Sequence, residues 1–271
     1  MTIQVPRSIA SAPGLRFPLT DDQLLIAMGT YEGISLVQKF GLNAVVGTGN
    51  EHLWIPSALQ VAMAAASTLE VASTDVDDDG APVDTGARTI RIEGFDASYD
   101  ALDETVIMNG QTPVVTAGVF LGVNDVFVLT AGASLGNEGI ISVADDSTDW
   151  TTGAPDTAAA VQAKIAVAAG RAEQAIYTVL NGFTAYLTNV YINTTTAQQI
   201  TWELAALDNS AGVEIIRLQG RTEDVGGAIQ IGGYHKFTEQ TTISLRALVD
   251  NTSGPVSGGF DLIVVQDSLY A

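Results

Sequence analysis

Thr241–Val249 reads TTISLRALV. Ile243, Leu245, Ala247 and Val249 fall on one side of an extended chain, and Thr242, Ser244, Arg246 and Leu248 on the other, because successive side chains of a strand point to opposite faces. A helix would scatter both sets around its axis. The stretch therefore predicts a strand with one face on a core. Similar runs at 174–180, 185–193, 199–207, 213–219, 235–237 and 260–266 are separated by Gly, Asn and Asp turns. That spacing predicts a β-sandwich or jelly roll. The Ala-rich segment DTAAAVQAKIAVAAG (156–170) has helical propensity. However, Val161, Ala163, Ile165 and Val167 alternate with Gln162, Lys164 and Ala166, and a strand is expected there, with tertiary pairing overriding propensity.

Upstream, residues 67–143 form a second block. Thr89, Ile90, Arg91, Ile92 and Glu93 alternate in the strand manner. Runs at 104–108 and 112–116 flank Asn109-Gly110, a pair that predicts a two-residue hairpin because both turn positions need positive φ. More strand is expected over 119–130 and 140–143. Between the blocks, ADDSTDWTTGAPDT (144–157) is acidic and polar and reads as a linker. The first sixty residues are the least regular. Pro6, Pro13 and Pro18 punctuate the start, 21–28 suits a short helix or a strand, and GISLVQKFGLN (33–43) suits a strand. The expected architecture is all-β: tandem β-sandwich or jelly-roll-like domains with an extended N-terminal arm. Residues 1–59 would be the arm and irregular segment, 60–146 the first domain, 147–157 the linker and 158–271 the second domain. An arm of this kind can grip a neighbouring subunit, or simply fray.

Composition narrows the function. There is no cysteine, which excludes disulfides and thiolate metal sites. No apolar run approaches the ~18 residues of a membrane span, and no basic segment followed by an apolar one marks a secretion signal at the start. With 31 acidic residues against 11 basic, the net charge is −20, a surface that repels phosphate backbones, so no nucleic-acid partner is expected.

Catalytic chemistry finds little support. Gly-x-Ser-x-Gly is absent, and His52 and His235 are the only histidines; His235 sits in an expected strand as a packed or surface residue. Glycoside hydrolysis needs paired carboxylates, but acids are abundant, no pair stands out, and only Trp54, Trp150 and Trp202 offer indole platforms. GTGNEH (47–52) and GGAIQIGG (226–233) lack the glycine spacing of a phosphate cradle. One metal-like pattern exists. Asp75, Asp77 and Asp79 precede Gly80 as D-x-D-x-D-G, the opening of a calcium loop in which alternate oxygens converge on the ion. The bidentate Glu expected at loop position twelve falls on Gly86. A solvated acidic turn is the competing reading, unless an ion is shared between subunits.

The ordered strings TGARTIRIEGFDASYDALDETVIMNGQTPVVT (85–116), FLGVNDVFVLTAG (120–132) and NEGIISV (137–143) resemble a recurring segment of tailed-bacteriophage virion structural proteins. KFGLNAVVGTGNEHLW (39–54), AIYTVLNGFTAYLTNVYI (175–192) and FTEQTTISLRALVDN (237–251) extend the likeness over most of the chain. It departs at Leu180-Asn181-Gly182, where such proteins often carry Pro-Ala-Gly; Asn-Gly still supports a turn. The resemblance implies a β-rich virion protein, made in the host bacterial cytoplasm, with no catalytic motif to inherit. The leading expectation is a capsid decoration (cement) protein, a homotrimer on the major capsid protein. A neck, tail or head-fibre component, or a receptor- or glycan-binding module using loops 132–139 or 250–258, are the alternatives.

Overall fold

The computed structural model describes residues 22–56, 58–194, 199–223, 227–229, 234–250 and 253–270. The first 21 residues, the proline-punctuated part of the arm and irregular segment expected over 1–59, lie outside them. Along the chain come a helix α1 (Asp22–Ala27) and strands β1 (Ile34–Val46), β2 (Glu51–His52), β3 (Leu69–Ser73), β4 (Ala87–Phe95), β5 (Ala101–Ile107), β6 (Val114–Val115), β7 (Gly122–Ala131), β8 (Ile141–Asp145), β9 (Trp150–Thr151), β10 (Ala154–Pro155), β11 (Val161–Ile165), β12 (Ile176–Thr178), β13 (Phe183–Thr194), β14 (Gln199–Asp208), β15 (Val213–Glu223), β16 (Gly227–Ile229), β17 (His235–Phe237), β18 (Thr241–Val249) and β19 (Gly254–Gln266). The chain is all-β, as its alternation predicts. No helix among the described residues is long and apolar enough to cross a membrane.

The larger sandwich is a jelly roll. One sheet runs β1-β19-β13, with β16 and β17 both on the outer side of β13; the other runs β12-β18-β14-β15, with β2 beside β12 on the same edge of β18. Counting β2 with β12, and β16 with β17, gives eight strand positions. In chain order they stand first-eighth-third-sixth in one sheet and second-seventh-fourth-fifth in the other, all antiparallel. That interleaving of two Greek keys defines the jelly roll. Its core takes the inward faces of both sheets: Ile243, Leu245, Ala247 and Val249 of β18 are fully buried against Leu187, Val190, Phe260 and Leu262.

The second strand position is split, and the split is where the other sandwich enters. The Leu53 amide donates to Leu245 O (3.0 Å), the Leu245 amide to Ala175 O (3.0 Å) and the Ala175 amide to Leu53 O (2.9 Å). Leu53 and Ala175 are thus neighbours on β18 despite their distance in sequence, and Trp54 bridges Gln174 beside them. Gly41 of β1 presses on this seam: a Cβ there would overlap Leu53 O and crowd the Ala175 amide. Residues 55–173 leave the jelly roll and return at this one point.

The inserted unit is a smaller sandwich of β11-β8-β3-β6 facing β5-β4-β7. Its core gathers Leu69, Val71, Ile90, Ile92, Val126, Ile141 and Ile165. Three expectations change here. β1 and β2 belong to the C-terminal jelly roll rather than to an irregular N-terminal segment, because β1 pairs with β19 almost throughout. β11 belongs to the first sandwich, because Ile165 pairs with Ile141 and Lys164 with Ser142. Residues 147–157 are no linker: β9 and β10 form a small hairpin there, and Trp150 Nε1 donates to Glu70 Oε2 (2.5 Å). The turn expected at Asn109-Gly110 lies one residue on: the Thr112 amide donates to Asn109 O (3.0 Å), Gly110 has φ +56° and Asn109 is not at positive φ, and the turn joins two sheets. β5 before it pairs with β4, and β6 after it pairs with β3.

Candidate functional site

Three features carry charge or exposed apolar surface in a way the folds alone do not require. The first is the junction between the sandwiches. Lys39 of β1 is buried, and its Nζ donates to Asn124 O at 2.6 Å, with Asp125 Oδ2 at 3.9 Å. Arg171 forks onto Asp125, with Nε 2.9 Å from Oδ2, and the Val126 amide donates to Asp125 Oδ1 (2.8 Å). Asn124 in turn donates to Thr178 O (2.9 Å) and accepts the Thr178 amide (2.8 Å). Burial pulls the Lys39 ammonium down from its ordinary 10.5 to about 8, against the pull of Asp125. A pocket of about 220 Å³ lies beside it, lined by Gln38, Lys39, Phe40, Arg171 and Glu173 among others. That is below the ~300 Å³ at which small-molecule sites begin, and Lys39 Nζ is already engaged. The group is a joint.

The second feature is the acidic loop. The sequence pattern put Asp75, Asp77 and Asp79 together. The structure brings Asp75 and Asp77 together with Glu138, ligand oxygens all within 4.8 Å of one another. Asp79 is not part of this group: its Oδ1 accepts the Ala81 amide (2.8 Å), and its backbone bridges Asn109. Glu138 comes from the β7–β8 loop, and no local spacing could have announced it. One oxygen from each of the three carboxylates is half of the six or more that a calcium ion takes.

The residue between the pattern positions, Asp78, holds the loop. It is fully buried. Its Oδ1 accepts the Ala87 (2.7 Å) and Glu138 (2.9 Å) amides, and its Oδ2 accepts the Gly139 amide (2.8 Å) and the Ser73 hydroxyl (2.5 Å). Gly86, which spoils the calcium-loop pattern, is required for this: a Cβ there would overlap Asp78 Oδ1.

Around this carboxylate the charges crowd. Desolvation, and then Glu138, Asp75, Asp84 and Asp78, raise the Asp77 carboxyl above its ordinary value. A carboxyl raised on folding binds its proton more tightly in the native state, so its ionisation opposes folding above that raised value and stops opposing it as the pH falls through it. Asp77→Asn is therefore expected to raise the melting temperature at pH 7, with the gain shrinking as the pH is lowered below the carboxylate range. Melts across that pH range check it, and a gain that is constant with pH would remove the crowding account.

The third feature is the edge strand β15. Its eleven residues pair with β14 on one side, and the other side has no strand partner among the described residues. Val213, Ile215 and Ile216 are exposed on it. Arg217 lies over the Phe237 ring, Cζ 5.5 Å from the centroid, and Arg221 pairs with Asp250.

His52 is linked to β15 through Arg246, whose Nε donates to His52 Nε2 (3.0 Å) and whose Nη1 donates to Glu214 Oε1 (2.9 Å). His52 is buried on β2, and burial and the neighbouring Arg246 hold its imidazole down to about 3, which leaves it neutral at physiological pH. His235 is half-buried on β17. The tip of the 132–139 loop is Leu135, apolar and 90% exposed. The 250–258 loop is shorter than expected, since β19 begins at Gly254.

No family model matches the chain, and no curated protein matches it. Among solved structures the chain is similar to one described as infectious bursal virus derived T=1 particles, at 12% identity over 88% of this chain and 71% of that one, with a TM-score of 0.21. The neighbour is a virus particle, not a tailed phage, and a likeness that weak carries no argument.

Proposed function

We propose that the chain is a virion structural protein that assembles in many copies, and that it decorates the head of a tailed phage as a cement protein. One observation carries the reading: a jelly roll with a second sandwich inserted into one strand, a form in which one unit can pack laterally while the other bridges to a neighbour. Jelly rolls recur in viral shells and in lectins, so the fold alone is only an analogy. The sequence resemblance to tailed-phage virion proteins favours the shell. We read the protein as non-catalytic, because its sequence offers no cysteine and no Gly-x-Ser-x-Gly motif. Its partners would be further copies of itself and the major capsid protein.

Mass spectrometry of gradient-purified particles tests the reading. The protein is expected at a stoichiometry tied to the capsid lattice, and its absence from particles would sink the proposal. Light scattering of the isolated protein then places it. A trimer fits local three-fold positions on a head, whereas a ring of six or twelve moves it to the neck or tail.

A further inference from the structure

The strand β15 reads VEIIRLQGRTE, with as many Glu as Arg. On a chain of net charge −20, this charge-balanced edge is a place where two copies meet with little mutual repulsion. Val213, Ile215 and Ile216 are exposed on it, and its outer side has no strand partner among the described residues. A long edge strand with apolar side chains is a template for another strand unless something covers it.

A bulge decides which strand fits. Leu218 pairs with Leu204 and Ile216 with Ala205, so Arg217 is an extra residue against β14. Ile200, Trp202, Leu204 and Ala206 of β14 face the core, and side chains directly opposite one another share a face. Val213, Ile215, Leu218, Gly220 and Thr222 therefore lie on the inner face of β15, and Glu214, Ile216, Gln219 and Arg221 on the outer one. Arg217 turns inward, with Cζ 5.5 Å from the centroid of the buried Phe237 ring. In a regular strand Glu214 and Arg221 would point to opposite faces; the bulge puts them on one.

Consider a second β15 laid antiparallel along this edge, related to the first by a two-fold axis normal to the sheet. Inner side chains meet inner and outer meet outer at every position only when the axis passes between Arg217 and Leu218. Val213 then faces Thr222 of the other copy, Glu214 faces Arg221, Ile215 faces Gly220 and Ile216 faces Gln219, and the symmetry repeats each pair. The bulge alone fixes this register, and the register sets each Glu214 opposite an Arg221. Their existing partners extend the pattern. Glu214 is held by Arg246, and Arg221 by Asp250. A carboxylate has lone pairs, and a guanidinium has N–H groups, for more than one partner. Arg246, Glu214, the other copy's Arg221 and the other copy's Asp250 thus follow one another as alternating charges. We propose that two copies join edge to edge at β15, so that the sheet β12-β18-β14-β15 continues across a two-fold axis into its counterpart. The contact is isologous and closes at two copies. It goes beyond the virion reading and does not depend on it; on a shell it would link copies across a two-fold and leave any three-fold contact to another surface.

Sedimentation of full-length chains tests it, with circular dichroism to establish that each variant folds. The wild-type chain is expected to associate. Glu214→Arg sets arginine against arginine, and Arg221→Glu sets glutamate against glutamate. Each alone is expected to associate on the order of tenfold more weakly, because two cross-strand pairs turn from attraction to repulsion. A 1:1 mixture of the two makes both pairs opposite in charge again and is expected to regain the wild-type affinity as a heterodimer. A wild-type chain that stays monomeric overturns the proposal, and so does a mixture that associates as weakly as its components. Cysteine pairing reads the register without touching a charge, in a chain that has no cysteine of its own. On oxidation, Ile216→Cys mixed with Gln219→Cys is expected to give a disulfide-linked heterodimer faster than either variant links to itself. Self-linking of Ile216→Cys at an equal or higher rate overturns the pairing. A trimer built on another surface would survive all of these substitutions, and the particle composition measured above tests the virion reading separately.

Discussion

Replacing Asp125 by alanine is expected to destabilise the protein by about 3–5 kcal/mol, the range for removing one partner of a buried ion pair. Asp125 is hydrogen-bonded within the junction, and its side chain is 8% exposed. Without it Arg171, already 59% exposed, can turn to water. Lys39 cannot. Its side chain is 4% exposed; it would lose the attraction that holds its value up and keep only Asn124 O as a hydrogen-bond partner. Lys39→Met is the control. It removes the buried charge, leaves Asp125 with Arg171 and the Val126 amide, and leaves Asn124 O with Gln174 Nε2 at 3.3 Å. A change within about 1 kcal/mol is expected for it, since an apolar side chain of similar shape avoids the desolvation the ammonium suffers.

The pH dependence of Lys39 has a definite sign. Its folded value, about 8, lies below the ordinary 10.5, so between those values the unfolded chain binds more protons and stability from this group rises with pH. Asp125→Ala removes an attraction that holds the value up, so that variant is expected to regain more stability than wild type as the pH is raised from 7. Urea midpoints at several pH values read both effects. Equal losses in Asp125→Ala and Lys39→Met would mean that packing, and not charge, holds the joint.

The alternation of Ile243, Leu245, Ala247 and Val249 made β18 legible, and it overrode alanine propensity correctly at β11. Period-two patterning reports that a strand has an inward face; it does not report which core that face meets. β1 and β11 therefore read as strands while their sandwiches did not follow, and nothing near Leu53 announces that its next neighbour on β18 is Ala175. The hairpin expected at Asn109-Gly110 failed for the same reason: a reversal forms there, shifted onto Gly110-Gln111, but turn chemistry leaves the pairing on either side to distant strands. At the acidic loop the spacing of Asp75 and Asp77 was informative. The third carboxylate, Glu138, arrives by tertiary contact, and Asp79 spends its side chain on a local turn.

The Asp78→Ala variant is expected to lose about 4 kcal/mol or more. Four donors converge on this carboxylate from three separate segments, and hydrogen bonds to a charged acceptor are each worth about 1.5–3 kcal/mol. Alanine orphans all four, and water entering the vacated space offsets part of the loss. Asp78→Asn separates charge from shape. If the amide keeps its oxygen at the Oδ1 position, the Ala87 and Glu138 amides stay satisfied. The NH2 group then faces the Ser73 hydroxyl, which can turn to accept, and the Gly139 amide, which cannot. The asparagine variant is therefore expected to fall between wild type and alanine. Hydrogen exchange gives the local readout: the Ala87, Glu138 and Gly139 amides should lose protection together in the alanine variant, and Gly139 alone in the asparagine variant. Uniform protection in both would mean that the backbone of these loops holds itself, with Asp78 a passenger.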